Sequence, residues 1–198
     1  ADVERLQLIK ALLNTGLRPN AVVAAPMEEL LLLKSSRLPE RLVAYPSEIQ
    51  AVLYHLGAND EDGVESELRR LLVRQGLSEF VVQTLPALNA AVGEAWAQSR
   101  ISIFQEHLYS EVVRKLTLQT LDIVRPTHAV GSVLLTTPSG EIHDLGLLMA
   151  QAVFSLAGYR CHCLGTQMPV DQIVSAAQAF AVDIVGLSMS AAFPRRLA

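Results

Sequence analysis

Only two cysteines occur in 198 residues, Cys161 and Cys163, so no disulfide framework can hold this chain together. Their spacing is that of strand neighbours. Charged residues are scarce, at 18%, while 51% of the chain is hydrophobic; that balance excludes bulk disorder and supplies a substantial core. Charged or polar residues interrupt every apolar run before it reaches membrane-spanning length. The first residues also lack the basic-then-apolar layout of a signal peptide. A soluble cytoplasmic protein with no membrane partner is therefore expected. The net charge of −4 gives no global attraction for nucleic acid, so any DNA contact must come from a local surface or another segment. No internal repeat or low-complexity tract is evident.

What the sequence does contain is a change of period. Residues 2–13 read as an amphipathic helix, with Asp2 as N-cap, Gly16 just past its end, and Val3, Leu6, Ile9 and Leu13 as its apolar stripe. A second short helix is expected from near Pro26 through Lys34. Ser35 to Pro46, with two prolines and two serines, reads as a linker. Helical patterns then continue to Pro126. Ser47-Glu48-Ile49-Gln50 has capping-box spacing and starts a helix that ends at Gly57. Asn59-Asp60 opens the next, whose stripe of Val64, Leu68, Leu71 and Leu72 ends at Gly76. A third spans about Glu79 to Ser99 with a bend at Pro86, and a fourth covers about Ile103 to Val124. Four helices with short connections predict a four-helix bundle.

Beyond Pro126 the pattern becomes strand-like at Val130–Thr136, Tyr159–Leu164 and Asp183–Leu187, with helical segments at Leu145–Leu156 and Val170–Phe180 between them. This βαβαβ order implies a parallel sheet with right-handed crossovers. The predicted fold class is thus α plus α/β. A helical remnant (1–36) and a linker (37–46) precede a four-helix bundle (47–125), and a Rossmann-like, doubly wound parallel sheet domain (126–198) follows. A doubly wound domain normally has about five strands. The third strand would leave an unpaired apolar edge, a liability proteins avoid, so these residues are expected to be part of a longer protein.

Two stretches carry the candidate chemistry. Gly140-Glu141-Ile142-His143-Asp144-Leu145-Gly146 joins the first strand to its helix, at the carboxyl end of the sheet where open α/β folds bind ligands. The other runs from Gly93-Glu94-Ala95-Trp96, with the only tryptophan, to Glu106-His107. On one straight helix Trp96 and His107 would stand roughly 16 Å apart, too far to share one ligand group. Ser102-x-x-Gln105, however, is a second capping-box pattern, and a turn at Ser99 to Ser102 would set the two level on antiparallel helices. Strand alternation puts His162 opposite Cys161 and Cys163, which argues against chelation by that run. His55 and His128 carry no motif and read as packing or solvent-facing.

Glu-x-His-x-x-Gly resembles the cofactor loop of cobalamin-binding domains. Combined with Gly-x-x-Trp-x9-Glu-His and the MerR-like start Asp-Val-x-Arg-Leu-x-Leu-Ile-Lys-x-Leu-x-x-x-Gly, it resembles the cobalamin-binding unit of CarH-type light-sensing repressors of the MerR group. The resemblance covers nearly the whole chain and treats it as truncated at both ends. It implies adenosylcobalamin as cofactor, with His143 as lower axial cobalt ligand and Glu141 orienting the imidazole. Gly146 would let the chain pass close to the cofactor tail. Leu164-Gly165, Pro169 and Ser188 match the tail pocket, although Ser188-Met189-Ser190 lacks the leucine of the Ser-x-Leu motif and the final Gly-Gly motif is absent.

Trp96 would pack against the 5′-deoxyadenosyl group and Glu106 would hydrogen-bond near its sugar or base. His107 would become the upper cobalt ligand after photolysis. A non-enzymatic repressor follows from the resemblance. Its dark tetramers would bind operator DNA through a MerR-type domain mostly absent from this chain, and would dissociate in light. Two alternatives share the scaffold: a corrinoid methyl-carrier of a methyltransferase system, and a sensor of another tetrapyrrole, haem or bilin.

Overall fold

The computed structural model describes residues 5, 6, 8, 9, 12, 19–37, 45–124, 126–190 and 193. The chain forms two compact units, one of Ala1–Glu67 with Pro86–Tyr109, the other of Leu68–Leu85 with Ser110–Ala198.

In the first unit, Leu8, Ile9 and Leu12 are buried with Val22, Ala25 and Leu30 in a small core of their own. The expected stripe is therefore turned: Leu6 is 65% exposed, while Asp2, Val3, Leu13 and Gly16 lie outside the described residues. Short helix α1 (Pro19–Val22), which the sequence reading missed, precedes α2 (Met27–Arg37). Arg5 donates to the carbonyls of Val23 (2.8 Å) and Ala25 (3.2 Å), tying the first segment to the chain between these two helices.

Helix α3 (Ser47–Gly57) buries Ile49, Val52 and Leu56. Its expected capping box does not form. Pro46 occupies the N-cap position, Ser47 is already helical, and its hydroxyl turns to the Glu48 carboxylate. Helix α4 (Glu61–Glu79) is capped by Asp60, whose Oδ1 accepts the Gly63 N–H at 2.9 Å. The helical run is broken at Gly76, as its sequence position predicts, by a backbone at φ 78°, ψ 162° that only glycine adopts readily. The expected bend at Pro86 takes the form of a π-helical stretch, Phe80–Thr84, in which the Leu85 N–H reaches back to Phe80. A widened turn accommodates a proline that cannot donate the usual bond. Helices α5 (Leu85–Ala97) and α6 (Ile103–Ile123) follow.

The second unit contains a three-stranded parallel sheet in the order β2-β1-β3, with β1 at Gly131–Thr136, β2 at Tyr159–Cys163 and β3 at Ile184–Leu187. Helix α7 (Leu145–Leu156) links β1 to β2, and α8 (Val170–Ala179) links β2 to β3. This is the predicted βαβαβ order.

Val133, Leu134 and Leu135 are almost wholly buried, as a central parallel strand covered on both faces requires. Val133, Leu135 and Leu147 form a core flanked by Phe154, Tyr159 and Ile184. Each such aliphatic side chain stabilises the fold by roughly 2 kcal/mol. Gly186 makes room for that packing, because a Cβ there would lie 2.7 Å from the Leu135 side chain. Among the described residues β3 pairs only with β1, and Val185 and Leu187 are exposed. No helix among the described residues is long and apolar enough to cross a membrane.

Candidate functional site

The loop after β1 is organised by two buried threonines. Thr136 donates through its hydroxyl to the Gly165 carbonyl (2.8 Å). Thr137 uses one hydroxyl twice, donating to the Glu141 carbonyl (2.7 Å) and accepting from the Gln167 N–H (2.8 Å). Its own carbonyl accepts from Met168 (2.9 Å). Between these anchors the chain turns from Pro138 to Glu141 through Gly140, whose φ of 88° suits glycine. The loops after β1 and β2 are thereby stitched together at the carboxyl end of the sheet.

Glu141 emerges from this turn with its side chain only 2% exposed. Its Oε1 accepts from the backbone N–H of His143 (3.0 Å) and from His143 Nδ1 (2.6 Å). Its Oε2 accepts the backbone N–H of Ser190, past the end of β3, at 2.7 Å. Burial disfavours the charged carboxylate, but the hydrogen bonds from His143 and Ser190 outweigh it and hold the pKa down at about 2. An ionised carboxylate can only accept, so His143 donates through Nδ1, and in the neutral imidazole Nε2 is the nitrogen with the lone pair. The His143 side chain is 59% exposed. A metal-ligating imidazole needs this arrangement: one nitrogen fixed by a carboxylate, the other available.

The structure also brings Gly146 and Ser188 together. A Cβ on Gly146 would lie 2.8 Å from Ser188 Oγ, and the Ser188 N–H donates to the Thr136 carbonyl (3.0 Å). Asp144, at the N-cap position of α7, pairs with Arg114 of α6. The Glu141–His143 pair fits a site that offers one imidazole to a metal, and Gly146 is kept small by the Ser188 hydroxyl packed against it.

Trp96, Glu106 and His107 belong to the other compact unit. The turn expected between them forms. Ser99 adopts φ 57°, its N–H donates to Trp96 and the Arg100 N–H to Ala95, a helix-ending motif that normally uses glycine. Ser102 then caps α6, with its N–H donating to Gln105 Oε1 at 2.7 Å. Trp96 is half-buried, Glu106 is half-buried and His107 is exposed. Glu94, two residues before Trp96, accepts from the Tyr45 hydroxyl and from Gln98 Nε2 (2.9 Å). Burial, and next the Glu94 carboxylate, raise the Tyr45 pKa.

His162 stacks on Phe180 (ring centroids 4.6 Å apart), Cys161 packs into the sheet core, and burial pushes the Cys163 thiol up to about 11. Among the described residues no group of three metal-ligating side chains occurs. His55 is held by Asp60 at 2.8 Å, and His128 is exposed. Sequence reasoning missed Thr136, Thr137 and Ser190. The threonines had a signal, being hydroxyls at the end of an apolar strand; Ser190 acts through its backbone and had none.

Residues 131–195 match the family model described as B12 binding domain, and residues 48–117 match a second model of the same description. The chain is 30% identical over 139 residues to the HTH-type transcriptional repressor CarH of Myxococcus xanthus, covering 70% of this chain and 46% of that protein. It is 33% identical over 89 residues to the repressor CarA of the same organism, covering 45% of this chain and 31% of that protein. It is 29% identical over 136 residues to the corrinoid protein DSY3155 of Desulfitobacterium hafniense, covering 65% of this chain and 62% of that protein. The chain thus spans less than two thirds of each of these relatives.

Proposed function

We propose, for a chain whose two matched segments are B12-binding domains, that it is the sensing part of a cobalamin-dependent, light-responsive transcriptional repressor. The observation that carries the light-responsive part of this reading is the turn at residues 98–102. It ends α5 just after Trp96 and starts α6 just before Glu106-His107.

His143 would hold the cofactor's metal through Nε2, with Glu141 fixing the imidazole from behind, and Gly146 and Ser188 would line the path of the tail. When bound, adenosylcobalamin would supply a light-sensitive cobalt–carbon bond. In this reading Trp96 would pack against the adenosyl group, Glu106 would hydrogen-bond beside it, and His107 would offer a second imidazole once that group has left. Repacking of the helices then shifts the population between two oligomeric arrangements. The dark form is a homotetramer on operator DNA, held through a MerR-type segment, in the cytoplasm, and no catalytic step is involved.

A second reading, a corrinoid methyl-carrier, is favoured by the similarity to a corrinoid protein of which this chain covers the larger share. It uses the same His143 loop but has no use for Trp96, Glu106 and His107.

The test is an absorbance spectrum and a solution mass, dark and then after green light, for protein loaded with adenosylcobalamin. A spectral change together with a fall in mass supports the repressor; an unchanged spectrum and mass sink it. His143→Ala should weaken ligation in both states, and His107→Ala should alter the lit state alone. Methyl transfer to or from the loaded protein by a methyltransferase supports the carrier, and the colour of copurified pigment identifies haem or bilin.

A further inference from the structure

Gln105 sits immediately before Glu106-His107 and is 8% exposed. Its Oε1 accepts from the Ser102 N–H (2.7 Å) and hydroxyl (3.0 Å). Its Nε2 donates to the Leu56 carbonyl (2.8 Å) and to Asn59 Oδ1 (2.9 Å). The amide is oriented without ambiguity, since an N–H donor faces one end and a backbone carbonyl the other. Only the Oε1 half is needed to cap α6. The Nε2 half does something else: it reaches the last turn of α3 and gives the Leu56 carbonyl a second donor beside the Asn59 N–H.

The receiving end is itself fixed. Asn59 adopts φ 58°, its N–H donates to Leu56 and the Asp60 N–H to His55, closing α3 before Asp60 caps α4. The first turn of α6 is therefore joined to the α3–α4 junction by a buried side chain with both of its ends bonded.

We propose that Gln105 is a positioning residue that clamps the first turn of α6 to the end of α3, so that Glu106 and His107 are presented from a fixed platform. The assignment rests on the reading of His107 as the imidazole used after light. The clamp orders that turn in advance, so that movement of His107 does not require the turn itself to be reorganised. Losing the clamp while keeping the cap should slow the light reaction and leave ligation by His143 in the dark unchanged.

Gln105→Glu separates the two halves. A carboxylate still accepts from Ser102, but has no donor for Leu56 and repels Asn59 Oδ1. Asn59→Gly removes one acceptor while preserving the left-handed backbone, and keeps the test open should Gln105→Glu fail to fold. Ser102→Ala, which removes the hydroxyl bond to Gln105 Oε1 but leaves the backbone bond to Oε1 and both Nε2 bonds, is the structural control. Full-length chain loaded with adenosylcobalamin is flashed with green light, and the spectrum of the second imidazole is followed in time, with His107→Ala defining its absence.

The expected result is a slowing of about tenfold or more in Gln105→Glu, a smaller slowing in Asn59→Gly, and a rate near wild type in Ser102→Ala. Rates within twofold of wild type in both Gln105→Glu and Asn59→Gly overturn the clamp. So does equal slowing in Ser102→Ala, which would make the effect one of helix stability. A wild-type protein that never develops the second-imidazole spectrum instead overturns the role of His107 on which the proposal stands.

Discussion

Replacing Glu141 by Gln tests the best-defined cluster in the structure. The wild-type carboxylate accepts three hydrogen bonds at 2.6–3.0 Å, two from His143 and one from Ser190. They lower its pKa from 4.5 to about 2 despite burial. A folded-state pKa below the unfolded one stabilises the protein at pH values above the unfolded pKa, and that stabilisation is lost as pH falls through the folded pKa. The shift corresponds to roughly 3 kcal/mol at pH 7, and most of that is lost by pH 2.

Gln keeps the shape but sets an NH₂ group against a donor and carries no charge. Glu141→Gln should therefore lower the apo-protein's unfolding free energy by about 2–3 kcal/mol at pH 7, with the gap to wild type shrinking by more than half at pH 3. Urea titrations of both proteins at the two pH values, followed by circular dichroism, measure this directly. Equal stability at pH 7, or a gap that does not narrow between pH 7 and pH 3, would refute the account of Glu141 as a charge held by His143 and Ser190.

Gly146→Ala should cost about 1 kcal/mol, because the new Cβ meets Ser188 Oγ; adding Ser188→Ala should recover most of the loss in a double-mutant cycle. Ser99→Gly should raise Tm by about 2 °C, since a serine at φ 57° carries strain that glycine relieves, and Ser99→Val should lower it. Thr137→Val should destabilise by about 2 kcal/mol in chemical denaturation, leaving the Glu141 carbonyl and the Gln167 N–H without their shared hydroxyl, whereas Thr137→Ser should stay close to wild type.

The sheet was legible because its signals are local and strong. Val133–Leu135 form an apolar run buried on both faces, the two crossover helices have clear periodicity, and Glu141-x-His143 advertises its own hydrogen bond through spacing. Gly76 and Asp60 likewise mark a break and a cap that any sequence pattern would reveal. In the first helix Ile9 is buried as expected but Leu6 is exposed, because residues 6 and 9 and residues 8, 9 and 12 both describe a helical face and the packing partner decides between them. The Ser47 cap failed because Pro46, with its fixed φ, takes the N-cap position itself. Ser190 and the far half of Gln105 were invisible for one shared reason. Each spans 49 residues of chain and meets a backbone group or a carboxylate made available only by the tertiary fold.

The open side of β3 bears on any measurement of mass. Val185 and Leu187 are exposed on a strand paired, among the described residues, along one side only. Where such an edge stays uncovered, two copies of the chain could add to each other through main-chain bonds, and that pairing would contribute to the mass in darkness and in light alike. Only the part of the assembly that changes between darkness and light reports on the switch, and dilution series in both conditions separate the two.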